Sequence, residues 1–77
     1  MLDKIIEKIA NYTSYDKSKM NRDTSFVRDL DINSLEIMQL VMELEEEYDV
    51  ELPEEQLFAI TTLGELEDLL TELIEED

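Results

Sequence analysis

The chain has no cysteine and no histidine. Without cysteine it has no disulfide and no thiol of its own, which fits a reducing cytoplasm. One glycine and one proline leave too little turn chemistry for an all-β fold. A long uncharged apolar run is also missing. Nothing is long enough to span a membrane, and the N-terminal stretch MLDKIIEKIANY is amphipathic, unlike a signal peptide. The largest gap is electrical. All six basic residues, Lys4, Lys8, Lys17, Lys19, Arg22 and Arg28, lie in the first 28 positions, whereas Asp29 to Asp77 holds eighteen acids and no cation. The net charge is −16. Such a surface repels nucleic acid and anionic lipid and attracts basic protein patches. It also keeps a small protein soluble.

What is present points to helices. The composition is 43% hydrophobic, enough to bury a core, and Glu, Leu, Ile, Met and Lys favour helix. Seventy-seven residues make one domain, spanning 1–77, with no room for a second core. Leu2, Ile5, Ile6 and Ile9, followed by Tyr12, share one helical face. A polar stretch from Thr13 to Arg28 reads as a long loop with apolar anchors at Tyr15, Met20, Phe26 and Val27. Asn33 then offers an N-cap, with Glu36 in the capping-box position. The helix that starts near Ser34 carries a core stripe of Ile37, Leu40, Val41, Leu44 and Tyr48. A second stripe, Leu35, Met38 and Met42, is rotated from the first, so it is either more core or apolar surface ringed by acids. PEEQLF suits a short helix with Pro53 at its first position. Thr62 to Glu65 forms another capping box ahead of Leu63, Leu66, Leu69, Leu70, Leu73 and Ile74. The expectation is an all-α chain of four helices, with a short third helix and a long first loop.

The stretch DLDINSLEIMQLVMELEEEYD contains one aliphatic hydroxyl side chain, Ser34. Asp29, Asp31 and Asn33 fit the first half of a calcium loop, but Ser34 stands where that loop needs glycine and Leu40 where it needs glutamate. No metal site is expected. As a hydrolytic nucleophile Ser34 has no histidine or cysteine partner and no oxyanion-hole motif. Two readings stay open. Ser34 is part of the helix cap, although Asn33 already offers one. Or it is an attachment site, where the positive end of the helix would stabilise a phosphate ester added by another enzyme.

The frame SFVRDLDINSLEIMQLVMELEEEYDVELPEEQLFAITTLGELEDLL resembles the acyl carrier proteins, closely those of bacterial type II fatty acid synthesis. Its most specific pieces are FVRDL, NSLEIMQLVMELEEEYD, LP and ITT. The resemblance implies an all-α four-helix bundle with a short third helix, a monomer that acts as a non-enzymatic carrier. Its 4′-phosphopantetheine would be attached to Ser34 from coenzyme A by a phosphopantetheinyl transferase, and acyl groups would be held on the arm as thioesters. It implies docking of fatty acid synthesis enzymes with basic patches through Leu35, Glu36, Met38, Gln39, Met42, Glu45 and Glu46, joined by Glu54 and Glu55. It implies an acyl pocket drawn from Phe26, Val27, Leu40, Leu44, Leu52, Ala59 and Ile60, each of which also reads as plain core. No nucleic acid or membrane insertion enters this picture. Three positions depart from the family. Asn33 replaces the usual Asp, Asp31 stands where many members have Gly, and Phe58 takes a site that is often acidic. These departures leave room for a discrete carrier of a polyketide, nonribosomal peptide or cell-envelope pathway. An unmodified acidic helical adaptor is the alternative of another class.

Overall fold

The computed structural model describes residues 1–75. Four α-helices follow in order: α1 Leu2–Ile9, α2 Ser34–Tyr48, α3 Glu54–Leu57 and α4 Leu63–Glu75. A single 3₁₀ turn, Lys17–Lys19, interrupts the first loop. Among the described residues the only extended pairing is an isolated antiparallel bridge from Ser25 to Thr62. The fold is all-α, as expected.

Helix α1 packs against both α2 and α4. Its Ile5 and Ile9, one turn apart, are fully buried, and Leu2 and Ile6 pack against the same core. Leu40, Val41 and Leu44 face them from α2, and Leu63, Leu66 and Leu70 from α4. Burying one such side chain contributes about 1.5–3 kcal/mol. Leu69, Leu73 and Ile74 are half-buried at the edge. Tyr12 follows α1, and its hydroxyl donates to Glu43 of α2. That bond, ahead of partial burial, holds the phenol pKa above its usual value.

The starts of α2 and α4 are closed by side chains. At α2 the Asn33 side chain accepts from the Glu36 N–H at 2.9 Å, and Glu36 accepts from the Asn33 N–H at 3.2 Å. The helix ends at Asp49, in the left-handed region at φ 54°, a conformation Asp tolerates better than most residues. Glu45 reaches across this turn to accept from the Leu52 N–H at 2.7 Å. Pro53 is the N-cap of α3, one place before the first helical position expected for it; its preset φ suits either place. At α4, Glu65 accepts from the N–H groups of both Thr61 and Thr62, and the Thr62 hydroxyl accepts from the Glu65 N–H.

The first loop runs across residues 10–33, longer than Thr13 to Arg28. It stays ordered because it contributes Met20, Phe26, Leu30 and Ile32 to the core. Its polar residues also satisfy its own backbone, as when Asn21 N–H donates to Thr24 Oγ1 at 2.8 Å and Ser25 N–H to Asp29 at 2.7 Å. Val27 is not an anchor. It is 67% exposed, because the turn that buries Phe26 points its neighbour outward.

Two predictions follow from this charge and capping. Lys4 and Lys8 pair with Glu43 and Glu47, and Arg22 with Glu67 and Asp68. Exposed pairs are worth little, and most acids have no cation near them. Repulsion should dominate, so the melting temperature should rise as the Debye length falls from ~30 Å at 0.01 M salt to ~10 Å at 0.1 M. A thermal melt series checks this, and a falling melting temperature would show that attractive pairs dominate instead.

The second concerns Glu65, whose pKa is lowered first by the Thr61 N–H, then by the Thr61 hydroxyl and the Thr62 N–H. A lowered folded-state pKa gives stability that is present above the ordinary value of 4.5 and lost as pH falls through the folded value. Glu65→Gln should therefore be less stable than the parent at pH 7, with the gap closing below pH 4.5. Denaturant melts of the two proteins across pH 3–7 (about the span over which carboxylates titrate) measure it.

Candidate functional site

Ser34 opens α2 and is exposed. The first four N–H groups of a helix have no intrahelical partner. Here the box formed by Asn33 and Glu36 satisfies two of them. The N–H groups of Ser34 and Leu35 are left at the positive end of the helix, beside a hydroxyl that takes no part in the cap. The hydroxyl is thus presented where a phosphate ester would meet unengaged donors and a favourable dipole. Among the other serines, the Ser25 hydroxyl accepts from the Arg28 N–H at 3.1 Å. Ser18 lies inside the 3₁₀ turn and Ser14 precedes it. None of these three begins an α-helix.

A cleft of about 430 Å³ lies between the first loop, α2 and the segment before α4. Phe26, Val27, Ile37 and Ile60 supply its apolar surface, and Asp23, Ser25, Arg28, Asp29, Thr61 and Thr62 its polar edge. Ile37 stands one turn after Ser34 on the same side of α2. Of the residues the sequence suggested for an acyl pocket, Phe26, Val27 and Ile60 line this cleft. Leu40, Leu44 and Leu52 do not. They lie in the core, exposed by 5% or less, where close packing leaves no such space. Ala59 is at the surface and outside the lining. The sequence reading assigned Ile37 only to the core stripe; its spacing of three from Ser34 was the signal available. Thr61 and Thr62 were read only as a helix start. A wider groove of about 830 Å³ between α1 and the 3₁₀ turn includes none of the candidate residues.

The second stripe of α2 divides. Leu35 and Met42 are exposed, at 68% and 60%, and Gln39 lies between them in the open. Met38 is half-buried and packs against the core. Glu46, Glu54 and Glu55 are exposed, whereas Glu36 and Glu45 are half-buried and tied to backbone N–H groups. The cations of α1 reach Glu43 and Glu47, on another side of α2, and Arg22 reaches α4. The Leu35–Met42 side therefore keeps its negative charge uncompensated. Phe58, at the end of α3, is 82% exposed. No group of His, Cys, Asp and Glu among the described residues is arranged to hold a metal ion. No described helix is long and apolar enough to cross a membrane.

Known proteins share this arrangement. A family model described as the phosphopantetheine attachment site matches residues 3–70. An acyl carrier protein of Clostridium perfringens is 36% identical over 72 residues, which is 94% of this chain and 95% of that one. One from Rubrobacter xylanophilus is 39% identical over 94% of this chain and 89% of its own. Among solved structures, the acyl carrier protein of Enterococcus faecalis matches with a TM-score of 0.82 at 26% identity, covering 94% of this chain and 91% of that one. The acyl carrier protein of Thermotoga maritima, at 23% identity, has the same fold, with a TM-score of 0.81. An exposed hydroxyl at a capped helix start, a matching family model over most of the length and relatives of one kind agree: the chain belongs to the acyl carrier proteins, non-enzymatic carriers that bear a 4′-phosphopantetheine arm.

Proposed function

We propose that Ser34 is the residue that takes the 4′-phosphopantetheine, and that the chain, as one carrier domain, shuttles acyl groups between enzymes of fatty acid biosynthesis. The observation that carries this reading is the exposed Ser34 hydroxyl, outside a cap that Asn33 and Glu36 complete without it. A phosphopantetheinyl transferase would supply the attachment chemistry, which explains why Ser34 has no base beside it. When attached, the arm supplies the thiol that a chain without cysteine lacks. The free Ser34 and Leu35 N–H groups would orient its phosphate. Ile37, Phe26 and Ile60 would shelter an apolar cargo from water.

Partner enzymes with basic patches would meet Leu35, Gln39, Met42 and Glu46, with Glu54 and Glu55 extending the surface. Glu36 and Glu45 add charge there, but each also holds backbone in place. Phe58 adds an apolar contact where relatives often present an acid. A second reading, a discrete carrier of a polyketide, nonribosomal peptide or cell-envelope pathway, draws on Asn33 and Asp31. Asp31 occupies the left-handed region at φ 54°, which glycine adopts freely, so its retention there has a conformational cost.

Incubation with coenzyme A, magnesium and a broad-specificity transferase should add one phosphopantetheine mass and a free thiol. Ser34→Ala should fold normally, since Asn33 keeps the cap, and gain no mass. Intact-mass measurement decides; mass gain by the Ala variant would move the site elsewhere, and no gain by the parent would end the proposal.

Docking is tested by charge reversal. Glu46→Lys, Glu54→Lys and Glu55→Lys should each slow association with a partner synthase, as rim charges do, without breaking a backbone hydrogen bond of the fold. Glu45→Lys should also lower the melting temperature, because the Leu52 N–H loses its acceptor. Stopped-flow association at low and high salt, with melts beside it, separates the two effects. Unchanged rates in all four variants would place docking on another face.

A further inference from the structure

The two walls of the cleft come from chain segments far apart in sequence, residues 23–29 and 60–62. Nothing in either segment alone fixes the distance between them. They are joined by a short run of backbone bonds. Phe26 N–H donates to the Thr61 carbonyl at 3.0 Å, Leu63 N–H to the Thr24 carbonyl at 3.0 Å, and Gly64 N–H to the Arg22 carbonyl at 2.9 Å. The run ends at Arg22, whose guanidinium binds Asp68 with both oxygens, at 2.9 and 2.8 Å, and also binds Glu67. Arg22 therefore fastens the first loop to α4 at the point from which both walls extend. Gly64 is the other half of the fastening. It is buried directly under Arg22, and a Cβ there would lie 2.9 Å from the Arg22 Cβ and 2.9 Å from the Arg22 carbonyl oxygen. Part of that obstruction is backbone, which cannot swing aside.

We propose that Arg22, seated on Gly64 and held by Glu67 and Asp68, is a positioning residue that sets the aperture of the cleft beside Ser34, and so how well a carried acyl group is sheltered from water. The inference rests on the reading of Ser34 as the attachment site. Arg22 does not line the cleft; it acts through Thr24, Phe26 and Thr61. When the clamp lets go, the strap from Arg22 to Phe26 separates from Thr61 to Gly64. The wall bearing Phe26 and Val27 then moves away from the one bearing Ile60. Of the core, Phe26 moves with the strap; the side chains that α1, α2 and α4 contribute, Leu44 among them, stay packed on one another. An arginine suits this place better than a lysine: its two terminal nitrogens serve the two carboxylates separately, Nη1 for Glu67 and Nη2 for Asp68, in a rigid plane that a lysine ammonium lacks.

The test uses three variants and two readouts. Arg22→Ala removes the clamp. Arg22→Lys keeps the charge. Gly64→Ala pushes the strap off from the other side while improving helix propensity, so a loosened cleft in that variant cannot be ascribed to a weaker helix. Amide hydrogen exchange is read at Phe26, Leu63 and Gly64, with Leu44 as the reporter of global unfolding. Hydrolysis is read on an octanoyl thioester carried by the intact protein, against free octanoyl-pantetheine. Arg22→Ala and Gly64→Ala should raise both exchange at the three strap amides and hydrolysis by about two- to fivefold, the factor one half-exposed ion pair can place on an opening equilibrium. Exchange at Leu44 should not change. Arg22→Lys should fall between parent and Ala.

Strap exchange and hydrolysis equal to the parent in both Arg22→Ala and Gly64→Ala would overturn the inference. So would acceleration that appears equally at Leu44, which would make Arg22 a global stabiliser only. A parent thioester that hydrolyses as fast as octanoyl-pantetheine would overturn it as well, while leaving Ser34 modification intact. A parent that accepts no phosphopantetheine at Ser34 would instead remove the reading on which the inference stands.

Discussion

The close approach of Arg22 to Gly64 is the contact from which the unhelical half of the molecule is built. A side chain at position 64 would collide with the backbone of Arg22, and the bonds from Phe26 to Thr61 and from Leu63 to Thr24 lie just beyond that contact. With the strap in place, Phe26 is delivered into the core at 1% exposure, and Leu30 and Ile32 follow at 3% each. The loop then enters α2 with Asn33 at the cap. The position of Ser34 is thus a consequence of how the preceding loop is tied to α4. Neither segment has enough local structure to hold that geometry unaided, and a loop this long is ordered only where its side chains are buried.

Carboxylates have three separate jobs in this fold. Glu36, Glu45 and Glu65 accept from backbone N–H groups at turns and helix starts. Glu43, Glu47, Glu67 and Asp68 meet the cations of α1 and Arg22. Glu46, Glu54 and Glu55 do neither and face solvent. Lys4, Lys8 and Arg22 pair on the sides of α2 and α4 turned toward α1 and the loop, and the acids beside Leu35 and Met42 have no ion pair among the described residues. A net charge of −16 by itself carries no direction; the placement of the three paired cations gives it one.

On the proposed docking role, the same division would suit the α2 surface to transient contact. Leu35, Met42 and Phe58 each expose apolar area at the surface. A partner can gain from each only by bringing its own apolar pocket while matching the surrounding acids. Association steered by charge and completed by a few apolar contacts is fast to form and fast to release, as a carrier that visits several enzymes requires.

Periodicity and capping residues determined the helices. The i, i+4 pair of Ile5 and Ile9, the Asn33–Glu36 box and the Thr62–Glu65 box are local patterns, and local patterns are written in neighbouring residues. Ser34 as a hydroxyl placed outside a complete cap was legible for the same reason, and the continuous frame from Ser25 to Leu70 made the family legible. Other features required tertiary contacts. Val27 faces outward beside a buried Phe26, and Met38 packs while Met42 does not. Leu40, Leu44 and Leu52 fill the core, whereas Ile37, Thr61 and Thr62 line the cleft. Glu45 is a structural acceptor, and Arg22 clamps residues 45 and 46 positions away in sequence. An apolar residue declares that it avoids water, and an acid that it seeks a donor. Which neighbour satisfies each is fixed only when the long loop crosses Gly64 and brings distant segments within hydrogen-bonding distance.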